Sequence, residues 1–399
     1  MTSAMATSAA TAIRSSRRRT STAWPPRAFA SRSSTVKPEA DKIALPDREI
    51  LLSQMFREAG YRTDMIGKWH LGHQPGKLPT DRGFETYFGI PYSNDMRPVK
   101  LLQGTETAEY PVLQANLTRR YTDLACDIIA KHKDEPFFLY LAHAMPHKPL
   151  AASEEWYQKT GNGLYGDVIA ELDAGIGDVI AALKKHGLDE NTLVLFTSDN
   201  GPWFGGSSGG LRGMKGSTYE GGFRVPGIAR WPGTIPAGQT SDAITLTMDF
   251  SVTALAAAQI QPPADLVLDG TDLLPLMQGK DDAPAPHDFV VGHKGSVPGT
   301  IRDARWKLHA LIPIDNFLRF PTDGTWVDPR APDGVTIIAP YEQARPVQYP
   351  GLNTGVAPQP MQLFDVQADP SEQTDVSAQH PEEVARLQAA LADYEASLK

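Results

Sequence analysis

Lys68 and His70 stand two residues apart in "GYRTDMIGKWHLG", residues 60–72, where an apolar strand gives way to glycine. Residues two apart in a strand share a face, so the two side chains converge on one spot. Like charges side by side repel, which makes an anion the natural partner of such a pair. A second strand end, "YLAHAMPHKP", offers His143 and His147. Pro146 lies between them and argues against a helical i, i+4 metal pair. A third, "FTSDNG", carries Asp199 and Asn200, hard oxygen donors that suit Ca²⁺ or Mg²⁺ better than zinc. The glycine-rich stretch "GPWFGGSSGGLRGMKGSTYEGGFRVPG" lets backbone approach a ligand closely, with Arg212 and Lys215 ready to meet an anion. It is not a Walker loop, because Gly216 separates Lys215 from Ser217.

Each feature has an ordinary alternative: a solvated strand end, a structural histidine, an Asp-Asn-Gly turn, a flexible loop. Together they describe a site for a tetrahedral oxyanion ester. A metal would polarise it, lysines would hold its oxygens, and a histidine would protonate the leaving oxygen.

The elements that must position these groups are readable from periodicity. "DREILLSQMFREAG" reads as a helix ending at Gly60, "YRTDMIG" as a strand, and 117–132 as a helix leading into the strand "PFFLYLA". Over 164–186, Leu164, Val168, Ile169, Leu172, Ile176, Val179, Ile180 and Leu183 form one helical face that stops at Gly187. "TLVLFTSDNG" is a buried-type strand running into a polar turn. This alternation predicts an α/β domain with a mixed, mostly parallel sheet flanked by helices, whose working residues gather at the strands' C-terminal ends. Beyond about residue 283, "DFVVGHKG", "GTIRDARWKLHAL" and "MQLFDV" read as short strands before the helix "PEEVARLQAALADYEASL". They predict a small C-terminal antiparallel α+β domain. The expected organisation is thus a disordered or non-family segment over 1–41, a catalytic domain over 42–283, and the small domain over 284–399.

Composition bounds the partners. The net charge of -9 argues against nucleic acid, and no apolar run is long enough to span a membrane. Residues 1–41 hold seven Arg and Lys against Glu39 and Asp41, without the apolar core of a secretory signal. A single cysteine excludes an internal disulfide framework. That residue, Cys126, sits beside the helical stripe Tyr121, Leu124, Ala125, Ile128 and Ile129 and reads as a structural thiol.

At this point the chain resembles the sulfatase family, in its arylsulfatase A and galactosamine-6-sulfatase branch. The resemblance is carried by "GYRTDMIGKWHLG", "GFETYFGIPYSNDM", "FFLYLAHAMPHKPL", "TLVLFTSDNG", "LRGMKGSTYEGGFRVPGI" and "LFDVQADPSEQTDV", in the family's order over roughly 43–399. It implies an alkaline-phosphatase-like fold and hydrolysis of a sulfated small molecule or sulfated sugar. By motif position, Lys68 and Lys215 would bind sulfate oxygens, and Ser93 would line the pocket. His70 would orient a formylglycine nucleophile. His147, rather than His143, would contact the ester side. Asp199 and Asn200 would be Ca²⁺ ligands, with Mg²⁺ the alternative. Lys215 or His147 would be the acid for the departing alcohol. The family also implies a periplasmic or extracellular location, although no export signal is legible.

Two family features are missing from these residues. No Cys-x-Pro-Ser-Arg segment supplies a formylglycine precursor, and no paired aspartates precede Gly60 to complete the metal site. "AWPPR" has the spacing, but Ala23 cannot be converted. The expectation is a sulfatase whose start was lost, with negligible turnover and an unpaired gap in its sheet. The competing expectations are an inactive sulfatase-like protein that binds anions or glycans, and a phosphomonoester or phosphonate hydrolase of the same superfamily.

Overall fold

The computed structural model describes residues 9–14, 44–280, 283–314, 336–337 and 348–398. Most of segment 1–41 therefore lies outside the described residues. The six that are described there form a strand, β1 (Ala9–Arg14), where disorder or a non-family tail was expected.

The main body follows in chain order as α1 (Leu52–Glu58), β2 (Arg62–Gly67), β3 (Thr86–Gly89), β4 (Leu101–Gln103), β5 (Glu106–Glu109), α2 (Leu117–Lys131), β6 (Phe137–Ala142), α3 (Gly163–Lys185), β7 (Thr192–Thr197), α4 (Glu220–Phe223), β8 (Gly227–Arg230), α5 (Asp249–Ala257) and α6 (Leu274–Met277). Eight strands form one sheet in the order β5-β4-β3-β2-β6-β1-β7-β8. The sheet is mixed, but only the β2–β3 and β2–β6 pairings are parallel, fewer than the alternation of elements suggested. The hairpin-like edges β3–β4–β5 and β7–β8 are antiparallel, and so is β1, which pairs with both β6 and β7 and fills the expected gap between them. β3, β2, β6 and β7 consequently all run one way, and their C-terminal ends share one edge of the sheet.

Alternate residues of β6 serve opposite faces, as the pleat requires. Phe137, Leu139 and Leu141 pack against Leu117, Tyr121, Ala125 and Ile129 of α2 and Val179 and Leu183 of α3. Phe138 and Ala142 pack on the other side with Met55 and Phe56 of α1 and Ala254 and Leu255 of α5. The result is a helix–sheet–helix sandwich. Each fully buried large apolar side chain in it contributes about 1.5–3 kcal/mol. α3 ends as read, with Gly187 at φ 69. α1 starts five residues later than the pattern from Asp47 implied. Arg82 binds the carbonyls of Leu45, Pro46 and Glu49, which takes that backbone out of helical geometry.

The C-terminal region forms a separate four-stranded antiparallel sheet, ordered β12-β11-β10-β9, from β9 (Val290–Lys294), β10 (Val297–Arg302), β11 (Trp306–His309) and β12 (Gln362–Asp365). Helix α7 (Pro381–Ser397) covers it, burying Leu387 and Leu391 against Ile301, Trp306, Leu308 and Leu363. Among the described residues, no helix is long and apolar enough to cross a membrane.

Candidate active site

β2 stops at Gly67, where the chain turns with φ 112. A Cβ there would lie 1.8 Å from the Ala142 carbonyl oxygen, so only glycine lets β2 and β6 approach this closely. The next three residues are pinned by backbone bonds: Lys68 to Ala142 O at 2.8 Å, Trp69 to Ile90 O at 3.1 Å, and His70 to Pro91 O at 3.2 Å. Trp69 turns into the core and donates its indole N–H to Lys77 O. Lys68 and His70 emerge together towards the common edge, with His70 in the left-handed region at φ 56.

Lys68 Nζ donates to Ser93 Oγ at 3.2 Å. Burial, and then the neighbouring charge of Lys215, push the Lys68 ammonium down to about 8, while Asp199 and Asp95 oppose the shift. His70 is exposed at its rim, but partial desolvation of its ring pushes it down to about 4, helped by Lys68 and Lys215 and opposed by Asp95. His70 is therefore neutral at pH 7. These couplings place Lys68, His70, Lys215 and Asp199 in one electrostatic neighbourhood with Ser93. The Lys215 backbone N–H bonds Pro202 O at 2.9 Å, which ties the glycine-rich stretch to the turn after β7.

His147 is built in through Asn94, the residue after Ser93. Its Nδ1 faces two acceptors, Asn94 Oδ1 at 2.9 Å and Lys148 O at 2.7 Å. That puts the proton on Nδ1 and leaves Nε2 as the lone-pair nitrogen of the neutral ring. Asn94 is fully buried and donates to His147 O, Gln114 Oε1 and Pro149 O.

Two candidates point elsewhere. His143 is buried beside the Tyr121 ring, and among the described residues neither of its nitrogens has a hydrogen-bond partner. Burial lowers it to about 4, so it is a neutral core residue. Arg212 does not face the anion site; it is buried and donates to Glu372 O and Val356 O. Two contributors were not picked out from sequence, Asn94 and Asp95. Their signal was present in "YSNDM", but a polar triplet in a loop does not reveal which member is buried.

The donors fit a Ca²⁺ ion poorly. Asp199 is exposed, Asn200 is half-buried, and the charge of Asp199 is directed at Lys68. Among the described residues, no three His, Cys, Asp or Glu side chains come together in a way that could hold a metal. Ca²⁺ ordinarily takes six to eight oxygens, so the pair would supply a minority of its shell.

Fold and edge together define an alkaline-phosphatase-like α/β protein in which Lys68, His70, Ser93 and Lys215 share one electrostatic neighbourhood at an edge of the sheet. Residues 3–260 match the family model for Sulfatase, and residues 214–308 match that for the C-terminal region of N-sulphoglucosamine sulphohydrolase. The chain belongs to the sulfatase family, in its galactosamine-6-sulfatase-like branch. The match begins upstream of residue 42, where composition had set the boundary. N-acetylgalactosamine-6-sulfatase of Canis lupus familiaris is 37% identical over 289 residues, covering 66% of this chain and 55% of that protein. Human arylsulfatase A is 36% identical over 301 residues, covering 66% and 59%. The chain thus spans little more than half the length of these relatives. The crystal structure of the PsFucS1 sulfatase from Pseudoalteromonas sp. superposes with a TM-score of 0.68 at 23% identity, over 88% of this chain and 74% of that one. It attests the fold.

Proposed function

We propose that this edge binds the sulfate group of a sulfated sugar, and that sulfuric ester hydrolysis is the reaction the site is shaped for. The observation that carries the reading is the hydrogen bond from Lys68 to Ser93 inside the shared field of Lys215 and His70. Two ammonium groups and a hydroxyl present donors to a tetrahedral anion in a partly desolvated pocket, where each counts for more than in water. An ammonium poised near 8 gains its proton firmly when the anion arrives. Neutral His70 adds a hydrogen-bonding ring without a third charge. His147 would present Nε2 to the ester oxygen and, once protonated, give the departing alcohol its proton; Lys215 is the alternative acid.

The sugar class follows from the relatives: the canine protein is named for N-acetylgalactosamine 6-sulfate chemistry. An exported location, periplasmic or extracellular, belongs to the same proposal, and cell fractionation tests it. The nucleophile is the gap. These residues carry no Cys-x-Pro-Ser-Arg, and Asp199 with Asn200 is a thin metal donor set. The chain's own groups therefore hold the ester rather than turn it over.

Calorimetry with N-acetylgalactosamine 6-sulfate, its phosphate counterpart and the unmodified sugar tests the reading, alongside turnover of an aryl sulfate and an aryl phosphate. We expect binding of the sulfated sugar that Lys68→Ala abolishes, without turnover. Turnover of aryl sulfate by the purified chain, lost in Lys68→Ala, overturns the binding-only conclusion. Preference for the phosphate counterpart overturns the sulfate assignment.

A further inference from the structure

A buried charge cluster grips Glu220, at the end of the segment that carries Lys215. Lys307 of β11 is 1% exposed and reaches Glu220 Oε1 at 3.0 Å and Glu372 Oε1 at 3.0 Å. Glu372 is fully buried and accepts from His309 Nε2 at 2.8 Å. Its other oxygen accepts the backbone N–H of Glu220 at 2.6 Å. Arg302 of β10 pairs with the second oxygen of Glu220. Two carboxylates, Glu220 of the main body and Glu372 of the C-terminal region, thus meet two cations of the C-terminal sheet, with His309 held neutral by burial. Burial alone would raise the Glu372 carboxyl, yet Lys307 and His309 hold it down at about 2. Breaking one member of such a set leaves an uncompensated buried charge.

The backbone of Glu372 works as well as its side chain. It sits at φ 52, a conformation uncommon outside glycine. From there its carbonyl accepts from Arg212 Nη1 at 3.0 Å, and Arg212 stacks over the Tyr219 ring at 4.0 Å. Further bonds from this region reach the same segment: Gly213 N to Leu352 O at 3.0 Å and Arg212 Nη2 to Val356 O at 2.9 Å. Glu372 therefore holds both ends of Arg212–Glu220, its carbonyl on one and its carboxylate on the other, and Lys215 lies between. Strain of this kind persists only where its surroundings impose it, and it gathers at functional segments.

We propose that Glu372, paired with Lys307, is a positioning residue for Lys215, so that the C-terminal domain sets the geometry of the anion pocket. This rests on reading Lys215 as an anion ligand. Neither Glu372 nor Lys307 touches the anion; they act through the segment they clamp.

The test uses the full chain with Glu372→Gln, Glu372→Asp, the double variant Glu372→Gln/Lys307→Met, and Lys215→Ala as reference. The readouts are affinity for inorganic sulfate by calorimetry, acetylation rates of Lys215 and Lys68 by mass spectrometry, and thermal unfolding. We expect Glu372→Gln to weaken sulfate about ten-fold and to change the acetylation rate of Lys215 but not of Lys68, with partial rescue in Glu372→Asp. If the single variant does not fold, the double variant, which removes the unpaired charge, carries the same expectation. Folded variants with wild-type affinity and wild-type Lys215 acetylation overturn the proposal. If Lys215→Ala leaves sulfate affinity unchanged, the anion reading fails. The acetylation rates then decide the clamp by themselves: a changed rate at Lys215 upholds it, and an unchanged rate overturns it.

Discussion

Lys68 Nζ and Ser93 Oγ lie 3.2 Å apart across 25 residues of sequence, joined because β2 and β3 are parallel neighbours that end at the same edge. The bond orients an ammonium that burial and Lys215 both disfavour. Such a charge is kept at a cost to stability that an anion can relieve.

Lys68→Met should therefore lose sulfate binding while raising stability, by about 1 kcal/mol. Calorimetry and urea denaturation check the two halves together. A variant that both binds poorly and unfolds earlier would show that Lys68 is a structural group.

The same ammonium sets a pH dependence. Its folded value of about 8 lies below the 10.5 of an unperturbed lysine. Above pH 8 Lys68 loses its charge, so sulfate affinity should fall about ten-fold per pH unit while it titrates. The folded state binds fewer protons than the unfolded chain between those values. Stability relative to Lys68→Met should rise from about pH 8 to 10.5. Affinity that stays flat from pH 7 to 9.5 would contradict this.

Asn94→Leu should cost about 2–4 kcal/mol, because it removes the donor to Gln114 Oε1 and to the carbonyls of His147 and Pro149. The variant should also release the His147 ring, detectable as a shifted imidazole resonance. A loss under 1 kcal/mol would argue against the buttress.

Gly67→Ala faces a φ of 112 and a contact of 1.8 Å to the Ala142 carbonyl oxygen. It should cost about 4 kcal/mol or more and separate β2 from β6 beside Lys68. Circular dichroism and yield of folded chain measure it, and a native-like melt would refute the close approach.

Cys126 should be slow to alkylate, because burial, then Asp178 and Asp123, raise its thiol. Cys126→Ala should leave sulfate affinity unchanged. Rapid labelling by iodoacetamide at pH 7 would contradict the reading of a structural thiol.

Much of this was legible locally. Periodicity gave the helix at Gly163–Lys185 and its apolar face, because a helix declares its buried stripe within a few turns. The glycines and charges at strand ends marked Lys68, His70, Asp199 and Lys215 for the same reason. β1 was not legible as a strand: a short run in a Ser-, Ala- and Thr-rich segment reads as a tail, and only its pairing with β6 and β7 makes it one.

The sequence by itself determined the helix at Gly163–Lys185, the strands at Arg62–Gly67, Phe137–Ala142 and Thr192–Thr197, and the charged groups that follow those strands. Those follow from residue type and short-range spacing. Only the tertiary structure decided that Arg212 turns inward, that His143 is core, and that Glu372 clamps the Lys215 segment. Arg212 and Glu372 are 160 residues apart, and Glu220 and Glu372 are 152 apart. A charged side chain is buried only where a counter-charge or hydrogen-bond acceptors wait, and the identity of those partners is settled by how distant segments pack.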